Sequence, residues 1–503
     1  MQAKVFVNTE EKIGAISPGI YGQFLEHGKD FIYPSLWDDT SPLSDGSGLR
    51  RDVTSIVKEL GTPVIRWPGG SFADLYNWQD GVGPRSSRPL TRNWQSGALE
   101  KNAFGTDEFI RFCELSNAAP YINVNLGTGS LMETLKWLDY CNGEQNTPEV
   151  LLRRKCGRAE PYAVTYWGIG NETWADWEAG QMSAARYGLT LRNWAQFMKR
   201  HSPFIKILGV GSDGIEDKTW DDDVLSAAAS VLDYLTIHLY VCSIDRRSGN
   251  EFESNVYAPT VFAQKIRELL YRIKPYSTLS HPIRISMDEW NIRHFNRQPD
   301  DTLVIDHYSP RCLQDAICAA GVFHEMIRLS PHVDMANYVL LINGNGVLQV
   351  NREGIVKTAL YSVFKHYADK MRGVAVETTV TGETKKIPEP IMMWPGKAIT
   401  YDAETVTVLD AAAALKDDNL TISFINRSLT ETIQVKCELP DNANFKVVGY
   451  WQLVHDNVYA YNDFYHPADI CPVSEDFASG LEIPDELWLV PPHSIKTINL
   501  RRI

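Results

Sequence analysis

The sequence lacks any continuous apolar stretch of about 18 residues, so it predicts no membrane-spanning helix. Its N-terminus has no basic segment followed by an apolar run, and we therefore expect no signal peptide. The eight cysteines are dispersed, and no two are spaced as CxxC. A long chain with dispersed cysteines fits a reducing compartment better than a disulfide framework. The expected location is the cytoplasm.

Basic residues are outnumbered by acidic ones. The chain has 49 Lys and Arg against 63 Asp and Glu, which gives a net charge of −14. An acidic surface disfavours nucleic acid and anionic membranes, so we expect neither as a partner. The charge leaves open an uncharged ligand such as a sugar.

From about residue 18 to about residue 345, short apolar runs alternate with longer segments of helical pattern. Continuous apolar runs are typical of parallel strands that are buried on both faces. About eight such alternations predict an α/β fold, a (β/α)8 or TIM barrel, with a doubly wound open sheet as the alternative. The strand candidates are Gly19–Phe24, Pro63–Arg66, Pro120–Asn125, Val164–Ile169, Ile205–Val210, Val231–Ile237, Ile283–Met287 and Ala336–Leu341.

The pattern changes after about residue 385 to short β-rich segments, such as Leu420–Phe424, that are separated by turn residues. This texture predicts a C-terminal antiparallel β-sandwich. Lys4–Val7 precedes the barrel in the chain and is expected to pair into this sandwich. We therefore predict a catalytic barrel of residues 16–384 and a sandwich of residues 1–15 plus 385–503.

Two glutamates directly follow strand candidates. Val164–Ile169 leads into Glu172, and Ile283–Met287 leads into Glu289. Because the carboxyl ends of barrel strands meet at one face, we expect the two carboxylates to face each other there. Glycosidic cleavage needs such a pair: one carboxyl protonates the leaving oxygen, and the other attacks or activates water. The alternative is two solvated loop residues, but their shared context favours catalysis.

Other predicted strand ends also carry polar residues. Arg66 could hold a carboxylate ionised, and Tyr240 could orient a nucleophile through a hydrogen bond. The alternative for Arg66 is a structural ion pair, and for His27 and His238 it is a buried, hydrogen-bonded imidazole. The chain contains neither an HExxH motif nor paired-histidine spacing, so we predict no metal and no other cofactor.

Five motifs stand out along the chain: GQFLEHG (22–28), RWPGGSFADLYNWQDGVGP (66–84), YCNG (140–143), YWGIGNE (166–172) and MDEWNIRH (287–294). Together with the C-terminal segment LVPPHSIKTINL, they resemble glycoside hydrolase family 51, which consists mainly of α-L-arabinofuranosidases. The resemblance covers nearly the whole chain.

The resemblance implies that Glu172 is the acid/base, that Glu289 is the nucleophile and that Asn171 binds the sugar 2-hydroxyl. It implies five further substrate-binding residues: Glu26 on sugar hydroxyls, Arg66 near the nucleophile, Ser71, Trp94 closing the arabinose pocket, and Tyr240 on strand six. The chain departs from the pattern in three places: Ser71 stands where many members have Asn or Cys, Arg293 stands where some have Trp, and Tyr338–Asn343 lacks a frequent Gln or Ser-Pro.

The implied activity is exo-acting release of terminal arabinofuranosyl units from arabinan or arabinoxylan oligosaccharides, by a homo-oligomer that resemblance suggests is a hexamer. The alternatives are a related glycosidase for a galactofuranoside, xyloside or β-glucan, and a non-catalytic carbohydrate-binding protein.

We expect a retaining enzyme, which needs carboxyl groups about 5–5.5 Å apart. We expect Glu289 to be ionised, and we expect the pKa of Glu172 to be raised by the neighbouring carboxylate.

Overall fold

A computed structural model describes residues 1–212, 219–244, 251–388, 391–399, 401–402, 405–441, 443–481 and 487–503. None of the helices in these ranges is long and apolar enough to cross a lipid bilayer.

The strands are β1 Gln2–Ile16, β2 Gly22–Phe24, β3 Val64–Trp67, β4 Thr91–Arg92, β5 Leu99–Glu100, β6 Ala119–Val124, β7 Tyr166–Ile169, β8 Lys206–Gly209, β9 Tyr234–Ile244, β10 Arg284–Arg297, β11 Leu303–Ile305, β12 Val333–Tyr338, β13 Leu348–Val350, β14 Ile355–Lys357, β15 Gly373–Gly382, β16 Thr384–Lys386, β17 Met392–Trp394, β18 Lys397–Ala398, β19 Thr405–Thr407, β20 Leu409–Lys416, β21 Asn419–Asn426, β22 Ile433–Glu438, β23 Phe445–Leu453, β24 Val473–Leu481, β25 Trp488–Val490 and β26 Ser494–Arg502. The helices are α1 Arg51–Leu60, α2 Thr106–Ser116, α3 Leu131–Asn142, α4 Pro148–Lys155, α5 Ala184–His201, α6 Trp220–Ala228, α7 Glu251–Ile273, α8 Leu313–Arg328 and α9 Ala359–Lys370. Short 3-10 helices span Pro18–Tyr21, Ala73–Leu75, Trp78–Gly81 and Arg85–Ser87.

Eight parallel strands form the barrel: β2, β3, β6, β7, β8, β9, β10 and β12. Strand β9 pairs with β10 and β12 pairs with β2, so the sheet closes on itself. The predicted TIM barrel is confirmed, and the open sheet is excluded because this sheet has no free edge at that seam. The short apolar strands are buried on both sides, as their composition predicts.

The helices around the barrel begin where local sequence signals place them. Ser130 and Glu133 form a reciprocal capping box at the start of α3, with Glu133 accepting from the Ser130 backbone N–H at 2.6 Å. Helix α7 (Glu251–Ile273) continues through Pro259, although a proline lacks a backbone N–H and usually ends or bends a helix.

The second region is one nine-stranded sheet in the order β24-β23-β26-β21-β20-β15-β1-β22-β25. It is a mixed, curled sheet, which confirms the predicted C-terminal β domain; β1 runs antiparallel to β15 but parallel to β22, so the sheet is not antiparallel throughout. Strand β1 enters from the other end of the chain, and its direction cannot be read from hydrophobic alternation alone. Strand β15 comes before residue 384 and also belongs to this sheet. The domain limits given above stay a prediction.

Helices α8 and α9 join the barrel to the sheet through buried polar contacts. His324 on α8 bonds Asp410 on β20 at 3.0 Å and the Tyr367 hydroxyl on α9 at 3.0 Å. The Tyr367 hydroxyl also bonds Ser423 on β21 at 2.7 Å. Arg328 pairs directly with Asp410. Burial alone would raise the pKa of Asp410, but the Arg328 charge and His324 hold it well below its usual range.

We predict that Asp410→Ala destabilises the protein, because it leaves the Arg328 charge without its main partner. The expected loss is roughly 2–4 kcal/mol, below that of a fully buried pair since a quarter of the Arg328 side chain is exposed. Urea denaturation measures it. Asp418→Ala, an exposed carboxylate beside the same sheet, is the control and should change stability little. Equal stability of the two variants would contradict the prediction.

Candidate active site

A cavity of about 490 Å³ opens at the carboxyl ends of the barrel strands. It lies where the strand ends of a TIM barrel place an active site. Six of the sequence-predicted residues line it: Glu26, Ser71, Asn171, Glu172, Tyr240 and Glu289. Arg66 lies fully buried beneath Glu289 and contacts it. The structure therefore brings seven predicted residues together.

Glu289 is held from two sides. The Arg66 guanidinium donates to one carboxylate oxygen at 2.6 Å, and the Tyr240 hydroxyl donates to the other at 2.6 Å. Strands β9 and β10 pair along their length well beyond the barrel rim, which places Tyr240 beside Glu289. Both oxygens thus accept a hydrogen bond, and the carboxylate has one defined orientation.

Arg66 also fixes Asn171. Its second terminal nitrogen donates to the Asn171 amide oxygen at 2.8 Å. Burial alone would lower the pKa of Arg66, but the charges of Asp288, Tyr121 and Glu289 raise it, so the guanidinium stays charged. The contact between Arg66 and Glu289 is thus both a structural ion pair and the contact through which Arg66 could hold a carboxylate ionised.

The pKa of Glu172 is shifted downwards, opposite to the direction that we expected from the sequence. Burial would raise its pKa, but a 2.8 Å hydrogen bond with His238, the charge of His238 and the nearby Arg293 lower it below the usual value. Burial likewise opposes charge on His238, but the surrounding carboxylates Glu289, Asp288 and Glu172 raise its pKa to about 10. The protonated His238 beside Glu172 thus determines the direction of the Glu172 pKa shift. The sequence indicates that Glu289 lies near Glu172, but it does not indicate that an imidazolium lies next to both.

Glu172, His238 and Glu289 each offer one polar atom within 4.8 Å of the others. Such a cluster is a possible metal site by distance alone. The imidazole, however, faces Glu172 through Nδ1 and Asp288 through Nε2, at 2.8 and 3.3 Å. An imidazole protonated at both nitrogens offers no lone pair to a metal, so the donor set fits charge pairing instead.

Glu26 lines the cavity two residues after β2. It accepts backbone N–H bonds from Gly70 at 3.0 Å and Phe72 at 3.4 Å. Burial and the charge of Glu289 raise its pKa to about 7, against the effect of these bonds. Near neutrality Glu26 can therefore donate to or accept from a sugar hydroxyl.

Ser71 faces a carboxylate that the sequence analysis missed. Its hydroxyl donates to Glu178 at 2.5 Å, and the Asn171 amide donates to the same oxygen at 3.3 Å. Burial and the charges of Glu172, Asp74 and Glu289 raise the pKa of Glu178 to about 8. Glu178 lies in a loop six residues after Glu172, and no strand end marks it.

The aromatic wall differs from the prediction. The Trp94 side chain is 73% exposed, stacks near Arg92 and does not line the cavity, although its neighbours Asn93 and Gln95 do. Trp177 and Trp394 line it instead. Trp177 could have been suspected from its place just after Glu172, but nothing in the sequence connects β17 with the barrel mouth.

Comparison with known proteins gives a consistent result. The profile of the family "Alpha-L-arabinofuranosidase 1 domain" matches residues 56–245, and that of "Alpha-L-arabinofuranosidase C-terminal domain" matches residues 288–494. A probable α-L-arabinofuranosidase C of Aspergillus clavatus is 32% identical over 86% of both chains. An intracellular exo-α-L-arabinofuranosidase of Bacteroides ovatus is 30% identical over 93% of this chain and 90% of that one.

Among solved structures, the arabinose complex of an α-L-arabinofuranosidase from Thermotoga maritima is similar to this chain with a TM-score of 0.88. The two are 33% identical, and the match covers 99% of each chain.

We predict that Gly70→Ala impairs catalysis. An added Cβ would lie 2.7 Å from the Glu289 oxygen that Arg66 binds, so the carboxylate must move. A shift of about 1 Å at a reacting group can cost about 100-fold in rate. The measurement is kcat/KM on an aryl glycoside, with a melting curve to confirm folding. Gly46→Ala is the control, since nothing lies within 4 Å of its added Cβ. Full activity of Gly70→Ala would show that Glu289 need not be held there.

Proposed function

The chain belongs to glycoside hydrolase family 51 and has α-L-arabinofuranosidase activity, and we propose that it acts by double displacement with retention of configuration. The observation that carries this proposal is that carboxylate oxygens of Glu172 and Glu289 lie within 4.8 Å of each other. Retaining enzymes have their carboxyl groups about 5–5.5 Å apart, and inverting enzymes roughly 6.5–9.5 Å apart to admit a water. The observed spacing supports direct attack by one carboxylate.

In the first step, a Glu289 oxygen bonds to the anomeric carbon while the bond from that carbon to the leaving oxygen breaks. Glu172 gives its proton to the leaving oxygen. In the second step, Glu172 takes a proton from water, whose oxygen attacks the anomeric carbon and releases Glu289. Two inversions leave the configuration of the substrate unchanged. Arg66 and Tyr240 hold Glu289 on line throughout.

The acid needs a proton that the free Glu172 does not itself retain. The Nδ1 atom of His238 lies 2.8 Å from a Glu172 oxygen and can supply this proton. We infer that this proton moves from Nδ1 to Glu172 as the leaving oxygen accepts the proton of the carboxyl group. The pair therefore acts as one acid with a single proton, and the low pKa of Glu172 alone does not disable it.

The substrate binds through polar groups around the anomeric carbon. Arg66 joins Asn171 to Glu289, and we infer that Asn171 binds the 2-hydroxyl and that Glu26 and Ser71, which line the same cavity, bind other hydroxyls. We infer that the enzyme removes a terminal unit. The exo activity in the name of the Bacteroides ovatus relative and the arabinose in the Thermotoga maritima structure support the same reading.

We infer that the natural substrates are short arabinan or arabinoxylan oligosaccharides and that the enzyme works in the cytoplasm. The word intracellular in the name of one relative supports that location. Assembly into a homo-oligomer stays a prediction.

Among nitrophenyl glycosides, the arabinofuranoside should be hydrolysed at least about tenfold faster than a galactofuranoside or xyloside, because a ring of the wrong shape leaves polar groups of the cavity unpaired.

We predict different losses for the two glutamates. Glu289→Ala should reduce turnover by several orders of magnitude on every substrate, because it removes the nucleophile. Glu172→Ala should retain more activity on an aryl arabinofuranoside than on an oligosaccharide, because a good leaving group needs less protonation. Azide should partly restore the Glu172 variant by replacing water in the second step.

The stereochemistry is followed by proton NMR of the early product. Retention is expected, and an inverted first product would remove the covalent intermediate. Glu114→Ala, an exposed glutamate on α2, is the matched control and should keep wild-type rates. Equal losses of the Glu172 variant on both substrates, without azide rescue, would assign that residue to binding alone.

We also predict that His238→Gln moves the basic limb of the kcat/KM profile to lower pH. In the native enzyme the imidazolium, with a pKa of about 10, keeps the shared proton near Glu172 well above neutrality. In the variant a carboxyl group alone must keep it, and it loses the proton earlier as pH rises. The profile is measured on an oligosaccharide, where the acid matters most. An unchanged basic limb would argue that His238 only fills space.

A further inference from the structure

The wall of the cavity beside Glu172 is formed by a stacked cation. The Arg293 guanidinium carbon lies 3.3 Å from the ring centroid of Tyr240 and 3.9 Å from that of Trp394. Trp177 stands edge-on to Trp394 at 6.4 Å. Two flanking rings confine the guanidinium and favour its charge. Arg293, Trp177 and Trp394 all line the cavity.

This wall lies on the leaving-group side. The proposed acid Glu172 must stand beside the leaving oxygen, and Arg293 is near enough for its charge to lower the pKa of Glu172. The part of a substrate that lies beyond the cleaved bond therefore lies next to Arg293. The two tryptophans provide the apolar surface on which a sugar ring stacks.

Arg293 has no carboxylate partner of its own. Among the residues that the structure describes, no carboxylate lies within 4.0 Å of it. Arg293 is half-buried and lines the cavity, so a ligand in the cavity can reach its side chain. A charged donor that gains an acceptor there adds affinity. Arg66, beneath the same cavity, shows the opposite case with its carboxylate and amide acceptors.

Two cations, Arg293 and Lys29, line the cavity in a chain whose net charge is −14. Burial and the charges of these two cations lower the pKa of His307 to about 4, against the opposing charge of Asp306. Two of the carboxylates that line the cavity, Glu172 and Glu289, are already engaged by His238, Arg66 and Tyr240.

We propose that the leaving-group side of the cavity accepts a sugar that carries a carboxylate, a uronic acid, and that Arg293 binds this carboxylate. The proposal rests on the proposed function, because Glu172 marks the leaving-group side only if it is the acid. A guanidinium binds a carboxylate through two parallel hydrogen bonds, which a neutral sugar cannot provide. Oligosaccharides in which the arabinofuranosyl unit is attached to a uronic acid would then be substrates in addition to the neutral oligosaccharides.

The probes are 4-carboxyphenyl and 4-carbamoylphenyl α-L-arabinofuranoside, which have nearly the same shape and differ in charge. The measured quantity is the ratio of their kcat/KM values, carboxylate over amide. We expect Arg293→Gln to lower this ratio about tenfold or more, mainly through KM of the carboxylate, as for loss of a charge-assisted hydrogen bond. Any effect of Arg293 on Glu172 acts on both probes and cancels in the ratio.

Arg297→Gln is the matched control, since Arg297 is exposed on the same strand, β10, and does not line the cavity. Its ratio should equal that of the wild type. A second test needs no variant: salt should lower kcat/KM for the carboxylate probe more than for the amide probe. It applies even if Arg293→Gln does not fold.

The outcomes separate the two proposals. Hydrolysis of both probes with the same ratio in the wild type and Arg293→Gln, or equal salt effects, overturns the uronic acid site and leaves the proposed function intact. Failure of the wild type to hydrolyse the simple nitrophenyl arabinofuranoside overturns the proposed function itself, whereas hydrolysis of that compound without hydrolysis of the carboxylate probe overturns only the uronic acid site.

Discussion

The buried guanidinium of Arg66 is the constraint on which the geometry of the cavity depends. A cation without water must be surrounded by acceptors, and here these are Asn171, after β7, and the consecutive residues Asp288 and Glu289 on β10. Their positions are therefore linked: none can move far without leaving the charge uncompensated. The close approach of Gly70 to the same Glu289 carboxylate completes the restraint. The orientation of the proposed nucleophile is set before any sugar arrives, which is what electrostatic preorganisation requires.

Much of this arrangement can be predicted from the sequence, because the carboxyl ends of all the strands of a barrel lie at the same face. Glu172 and Glu289 follow the fourth and seventh predicted strands, so the topology of the barrel predicts that they meet at that face. The barrel and the gathering of Arg66, Asn171 and Tyr240 needed no further information. The roles assigned to these residues rest on resemblance and remain proposals.

What the sequence could not supply depends on contacts between distant segments. The low pKa of Glu172 comes from an imidazolium whose own pKa is set by three carboxylates at once, so no single neighbour predicts it. Trp94, which the resemblance assigns to the arabinose pocket, is exposed and does not line the cavity, whereas Trp394, which follows the barrel in the chain, does line it. The mixed character of the second sheet follows from the direction of β1, and a strand's direction relative to a distant partner leaves no local pattern.

The place of β1 in that sheet has a consequence for how the chain is made. The strand pairs with β15 on one side and with β22 on the other, so its partners lie more than 350 and more than 400 residues away along the chain. During synthesis at roughly 5–20 residues per second, this segment emerges first and waits tens of seconds for its neighbours, while the barrel beside it can already assemble. Its exposed edges must meanwhile be kept from pairing with other chains. The ribosome thus releases the residues of the barrel before β22 and the other C-terminal strands that complete the second sheet.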